Sequence, residues 1–130
     1  MDTRCILIID DEPDIREIAK LSLNITKQWA VLTAASGTEG FTIAANQNPD
    51  AILLDVVMPI VDGLDTLKNL KLHPQTQHIP VILLTATAKL AMQSDYVQWG
   101  AQGILIKPFD PGILGEQIET ALGWSSLKSV

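Results

Sequence analysis

The segment Cys5-Ile6-Leu7-Ile8-Ile9-Asp10-Asp11-Glu12 places five apolar residues directly before three carboxylates. An apolar run that short and rich in β-branched residues reads as a strand covered on both faces, and the acids mark where it emerges from the core. Four more runs follow the same grammar. Trp29 to Ala34, Ala51 to Leu54, Val81 to Leu84 and Gly103 to Ile106 are each mostly apolar on consecutive positions. The last three of these also finish on a polar group, in Asp55, Thr85 and Lys107.

Helix-length amphipathic stretches separate the runs. The pattern therefore predicts an α/β fold of five βα units, a doubly wound parallel sheet with helices on both faces. The first helix opens at Pro13, a favoured first-turn residue, and sets Ile15, Ile18, Ala19, Ser22 and Ile25 at three- and four-residue steps. The second opens with Ser36 and Glu39 in capping-box spacing and turns Phe41, Ala44 and Ala45 inward. A third follows Asp62 and Gly63, with Leu64, Leu67 and Leu70 on one side. The fourth, about Lys89 to Trp99, is apolar around much of its circumference, which suits a surface that meets a partner. The fifth is expected to begin with Asp110 as N-cap and Pro111 in the first turn, with Leu114, Ile118, Ala121 and Leu122 as its stripe.

Composition bounds the rest. The 130 residues are 47% hydrophobic and 18% charged, the balance of one globular domain, which excludes disorder. Residues 1–124 are read as that domain and 125–130 as a tail or linker stub. The lone Cys5 cannot form an internal disulfide; read as a small buried side chain, it fits a reducing cytoplasmic location. No apolar run approaches the ~18 residues of a membrane span, so no membrane insertion is expected. Nine basic against fifteen acidic residues give a net charge of -6, and the basic ones are scattered, which argues against direct nucleic-acid binding.

In an open parallel sheet the ligand crevice lies beyond the carboxyl ends of the strands, near the point where strand order reverses. That edge would gather Asp10, Asp11, Asp55, Thr85 and Lys107. Carboxylates brought together must take up protons or bind a cation, and oxygen ligands suit a hard ion such as Mg²⁺. Phosphoryl transfer needs a nucleophile, a metal on the equatorial oxygens and further groups where charge accumulates. Asp55 is the candidate nucleophile, Asp10 and Asp11 the metal holders, Lys107 a point charge and Thr85 a hydroxyl donor. Glu12 and Asp14 read as surface residues that complement a helix N-terminus, and His73 and His78 as parts of an exposed connection. Trp29, Trp99 and Trp124 read as packing residues.

Taken together, Asp10-Asp11-Glu12, Asp55 through Met58-Pro59 to Asp62-Gly63, Thr85-Ala86 and Lys107-Pro108-Phe109 resemble the receiver domain of two-component response regulators. The motifs occur in the family's order and spacing over nearly the whole chain. The resemblance implies a flavodoxin-like sheet in the order 2-1-3-4-5. It also implies that Asp55 takes a phosphoryl group from the phosphohistidine of a sensor histidine kinase or histidine phosphotransfer protein. Asp11, Asp55 and the Val57 carbonyl would hold Mg²⁺, with Asp10 acting mainly through water. Thr85, the Ala86 N–H and Lys107 would bind the phosphoryl group, and Lys107-Pro108 would be a cis peptide. A downstream protein would be met through the face of helix 4, strand 5 and helix 5, and homodimerisation is compatible with that face.

Two positions depart from the family's pattern. Ile104 stands where the family commonly has an aromatic switch residue, and a branched aliphatic side chain has fewer rotamers and no hydroxyl. Signalling through Thr85 and the following loop, with little rotamer change at Ile104, is the expectation. Three competing readings are weaker. An aspartyl phosphatase would carry a second acid two residues after Asp55, where Val57 stands. A nucleotide or flavin binder would offer a glycine-rich first loop instead of Asp10-Asp11-Glu12. A degenerate, phosphorylation-independent receiver sits poorly with an intact acceptor, acidic pair, threonine and lysine. Val57 also cannot orient a water by hydrogen bonding. The phosphorylated protein should therefore lose its phosphoryl group more slowly than a Val57→Asn variant, followed by intact mass over time; a much shorter lifetime than the variant's would contradict this.

Overall fold

The computed structural model describes residues 3–56, 63–86 and 95–124. Five strands, β1 (Cys5–Ile9), β2 (Ala30–Ala34), β3 (Ala51–Asp55), β4 (Val81–Thr85) and β5 (Gly103–Ile106), pair in parallel in the order β2-β1-β3-β4-β5. Among the described residues, four helices of nine residues or more accompany them: α1 (Pro13–Lys27), α2 (Gly37–Gln47), α3 (Gly63–Leu72) and α5 (Leu114–Leu122). Of the expected fourth helix, α4 (Asp95–Gln98) is described and Trp99 follows it in a turn; the earlier part of that expectation, including Leu90, Ala91 and Met92, lies outside the described residues. Residues 125–130 lie outside them too.

The central strands are buried on both sides, and alternate residues go to opposite layers. Leu7, Ile9, Ile52, Leu54 and Leu83 pack with Ala44 of α2 and Leu67 and Leu70 of α3. Ile6, Ile8, Leu53, Ile82 and Leu84 pack with Ala19 and Leu23 of α1 and Leu114 and Ile118 of α5. β1 lies between β2 and β3, so the chain leaves it in one direction and returns on the other side. The order reverses beside β1, and a doubly wound sheet binds its ligands at such a point, beyond the carboxyl ends of β1 and β3.

Two expected helix details are corrected. α1 turns Ala19, Ser22 and Leu23 inward, whereas Ile18 is 42% and Ile25 76% exposed. The stripe runs through Leu23, fully buried against β1 and α5, and the Ser22 hydroxyl is satisfied at that interface by donating to the Pro111 carbonyl. α5 starts at Leu114, not at Pro111. Asp110-Pro111-Gly112-Ile113 instead forms a turn, with Ile113 N donating to Asp110 O at 3.1 Å and Gly112 N to Asp110 Oδ1 at 2.8 Å. Aspartate before proline and glycine serves a tight turn as well as a helix start. The capping box at α2 forms as expected, with Glu39 N donating to Ser36 Oγ and Ala35 N to Glu39 Oε1.

The sheet's amino end is closed by aromatics. Trp29 is 5% exposed, meets Trp124 edge-on with centroids 5.7 Å apart, and Arg4 stacks over Trp124 at 3.8 Å. Trp99 packs against the α2–α3 layer. Cys5 is half-buried, its N–H donating to Asp50 Oδ2 at 2.7 Å.

At the other edge, Gly63 is what allows α3 to begin directly over the end of β3. Its N–H donates to Val56 O at 3.1 Å, and a Cβ there would collide with the Asp55 carbonyl and sit 2.5 Å from the Val56 Cα. Backbone cannot give way as a flexible side chain can. Gly63→Ala should therefore lower stability by about 2–3 kcal/mol in urea unfolding; a variant as stable as wild type would show that the approach is looser than described.

Candidate functional site

Strand register assembles the site. Ile9 pairs with Leu54, so the residues that follow, Asp10 and Asp55, emerge side by side at the carboxyl edge. Asp55 in turn pairs with Leu84, and Thr85 with Ile106, which puts Thr85 and Lys107 along the same rim. Backbone hydrogen bonds carry this order past the strands: Asp10 N to Ala34 O at 3.0 Å, Val56 N to Leu84 O at 3.0 Å, and Lys107 N to Thr85 O at 2.7 Å.

Asp10, Asp11 and Asp55 each present a carboxylate oxygen, and the three oxygens lie within 4.8 Å of one another. Asp10 is fully buried, Asp55 4% exposed and Asp11 half-buried. Asp10 Oδ1 accepts from Glu12 N at 2.9 Å. Arg16 Nη1 donates to Asp10 O at 2.8 Å, so the β1–α1 turn is held from below. Lys107 crosses above β4 and β3 to bring its ammonium 2.9 Å from Asp10 Oδ2, 3.0 Å from Glu12 Oε1 and 3.5 Å from Asp55 Oδ2. The Asp10 contact balances charge without good directionality, which leaves Oδ2 buried and short of a well-formed hydrogen bond.

Burial alone would depress the Lys107 pKa. The contacts with Asp10 and Glu12 and the charges of Asp10 and Asp55 outweigh it and hold the ammonium above the ordinary lysine range. Lys107-Pro108 is a cis peptide, as the resemblance implied. Thr85 is 2% exposed at the end of β4, Ala86 is exposed beside it, and Ile104 is half-buried against the α2–α3 layer. Val57 lies outside the described residues.

The donor set fits a small hard cation. All three donors are carboxylate oxygens, one lysine cannot neutralise three acids, and Asp10 Oδ2 is a buried oxygen with capacity to spare. Sequence reasoning brought five residues to this edge, and the structure brings four of them, Asp10, Asp11, Asp55 and Lys107, into one cluster with Thr85 on the same rim. It missed Glu12. A glutamate after two aspartates looks like one more solvated acid, and nothing local signals a contact 95 residues away.

Comparison with known proteins agrees with the geometry. The family model described as response regulator receiver domain matches residues 6–119. "Probable transcriptional regulator ycf27" of Cyanophora paradoxa is 36% identical over 117 residues, covering 90% of this chain and 47% of that protein. "Response regulator PleD" of Caulobacter vibrioides is 38% identical over 117 residues, covering 88% and 25%. The chain thus spans about half or less of the length of these curated relatives. The solved structure of the chemotaxis response regulator CheY4 of Vibrio cholerae superposes with a TM-score of 0.83 at 28% identity, covering 92% of this chain and 99% of that one. With the strand order, the acid cluster at the β1–β3 edge and a family match over most of its length, the chain belongs to the response regulator receiver domain family.

Proposed function

We propose that the chain is a phosphorylation-dependent signalling switch whose acceptor is Asp55. The observation that carries this reading is the placing of a nearly buried carboxylate beside two other acids and a lysine, at the sheet edge where the strand order reverses. In the transfer, an Asp55 carboxylate oxygen attacks the phosphorus of a phosphohistidine. The P–N bond breaks as the P–O bond forms, the imidazole leaves with the bonding electron pair, and Asp55 becomes an acyl phosphate.

Asp10, Asp11 and Asp55 would hold Mg²⁺, with the Val57 carbonyl a further ligand. When bound, the ion offsets carboxylate charge and neutralises the phosphoryl oxygens. The chain's own residues do the remainder. Asp55 supplies the nucleophile from a rigid strand end, where orientation costs little. Lys107 supplies permanent positive charge within reach of Asp55, and Thr85 with the Ala86 N–H would receive the phosphoryl oxygens. The chain acts as acceptor and relay, not as a turnover enzyme.

The phosphoryl donor is a sensor histidine kinase or a histidine phosphotransfer protein. The downstream contact is assigned to the α4–β5–α5 face. Exposed Val97, Ile106 and Ile113 and a groove of about 420 Å³ lined by Leu105, Ile113, Gln117 and Ala121 support that assignment. Among the described residues no helix is long and apolar enough to cross a membrane.

Incubation with Mg²⁺ and acetyl phosphate should add about 80 Da and nearly two negative charges to the wild type and nothing to Asp55→Asn, read by intact mass. An equal gain in the variant would move the acceptor elsewhere. Lys107→Met should be about 2–3 kcal/mol less stable in chelator, because it strands the fully buried Asp10. A lysine whose folded pKa is raised contributes fully below its unfolded pKa and loses that contribution as pH climbs through the folded value. The stability difference between wild type and Lys107→Met, measured by urea unfolding, should accordingly be flat from about pH 7 to 9.5; a decline across that window would contradict the raised pKa.

A further inference from the structure

Glu12 occupies the N-cap of α1 with extended backbone, φ -91° and ψ 115°, yet its side chain makes no capping hydrogen bond. Residues favoured there are shorter and fold back on the first turn. The Glu12 carboxylate goes the other way, across the mouth of the acid cluster, to Lys107 Nζ at 3.0 Å. The backbone on either side is pinned: Glu12 N donates to Asp10 Oδ1 at 2.9 Å, and Arg16 N donates to Glu12 O at 3.2 Å. Its side chain is 59% exposed, while that of Lys107 is 12% exposed. An exposed acid on a fixed base thus engages a nearly buried cation from the solvent side.

The three contacts of that cation are unequal. Lys107 Nζ lies 2.9 Å from Asp10 Oδ2 and 3.0 Å from Glu12 Oε1, and Asp55 Oδ2 is the farthest at 3.5 Å. The ammonium carries one charge, and drawing it nearer to one carboxylate weakens its attraction to another.

We propose that Glu12 is a positioning residue for Lys107: from the start of α1 it draws the ammonium toward the mouth of the site, and so sets how far Lys107 leans on Asp55 and competes with a divalent cation for the three aspartates. This rests on the reading of Asp55 as phosphoacceptor. Without the outer carboxylate, Lys107 settles on Asp10 and Asp55, where its charge opposes the metal directly. With it, part of the lysine's charge is held outside the cluster, and the acids remain available.

The test is magnesium binding to the full chain by titration calorimetry, without any phosphodonor, in wild type, Glu12→Gln and Glu12→Asp. The first variant removes the charge at nearly constant size. The second keeps the charge on a side chain one methylene short of the span. Both should weaken the magnesium dissociation constant about three-fold, the scale of an exposed ion pair. Weakening in Glu12→Gln alone would mean that Glu12 acts through space as a charge, and no change in either would mean that the contact is idle; each result overturns the proposal. Phosphoryl uptake by the wild type is scored separately: no mass gain sinks the acceptor reading, whereas a mass gain with unmoved magnesium constants sinks this inference alone.

Discussion

Three carboxylates that repel one another are held at one end of a sheet whose strands are otherwise almost wholly apolar, and the architecture around them is organised to tolerate that repulsion. Oxygens within 4.8 Å of one another in a partly dry site would normally drive proton uptake or local unfolding. Here the backbone of the acids is fixed by the parallel ladder, by the hydrogen bond of Asp10 N to Ala34 and by the guanidinium of Arg16 under the β1–α1 turn. Lys107 relieves part of the charge, and the donor set favours a cation for the rest. A cluster of like charges held together by rigid surroundings is poised to respond when its charge changes, which is the physical requirement for a phosphorylation switch.

Much of this was legible because the sheet is buried on both faces. Consecutive apolar positions ending in Asp10, Asp55, Thr85 or Lys107 can belong to strands that dive through a core and surface at one edge, and the strand limits match the structure to within a residue. Helix positions were less legible where a polar contact sets the interface. Ser22 reads as a weak member of an apolar stripe, but its hydroxyl meets the Pro111 carbonyl and Leu23 beside it is fully buried, while Ile18 and Ile25 face outward. Asp110-Pro111 carries a helix-start signature that a tight turn shares, and tertiary packing chose the turn.

The site was legible as a set of residues and not as a set of distances. Alternation and strand ends place Asp10, Asp11, Asp55 and Lys107 on a common rim, whereas the unequal sharing of the lysine depends on side-chain reach across β3 and β4. Glu12 shows the limit most clearly. Its neighbours in the chain explain its backbone, and its side chain answers to a residue that the sequence places 95 positions away.

α1 and the β5–α5 region are stitched twice, by Ser22 to the Pro111 carbonyl and by the Lys27–Glu119 ion pair at 2.8 Å, whose lysine stem lies over Gly115. Both helices start from the same edge of the sheet, α1 just after Asp11 and α5 a few residues after Lys107. The two helices are thus tied to each other as well as to the sheet, and both begin at the edge that carries the acid cluster. Because Pro111 follows Lys107 closely in the chain, the loop that carries the lysine is moored to the same helix that begins just after the two aspartates.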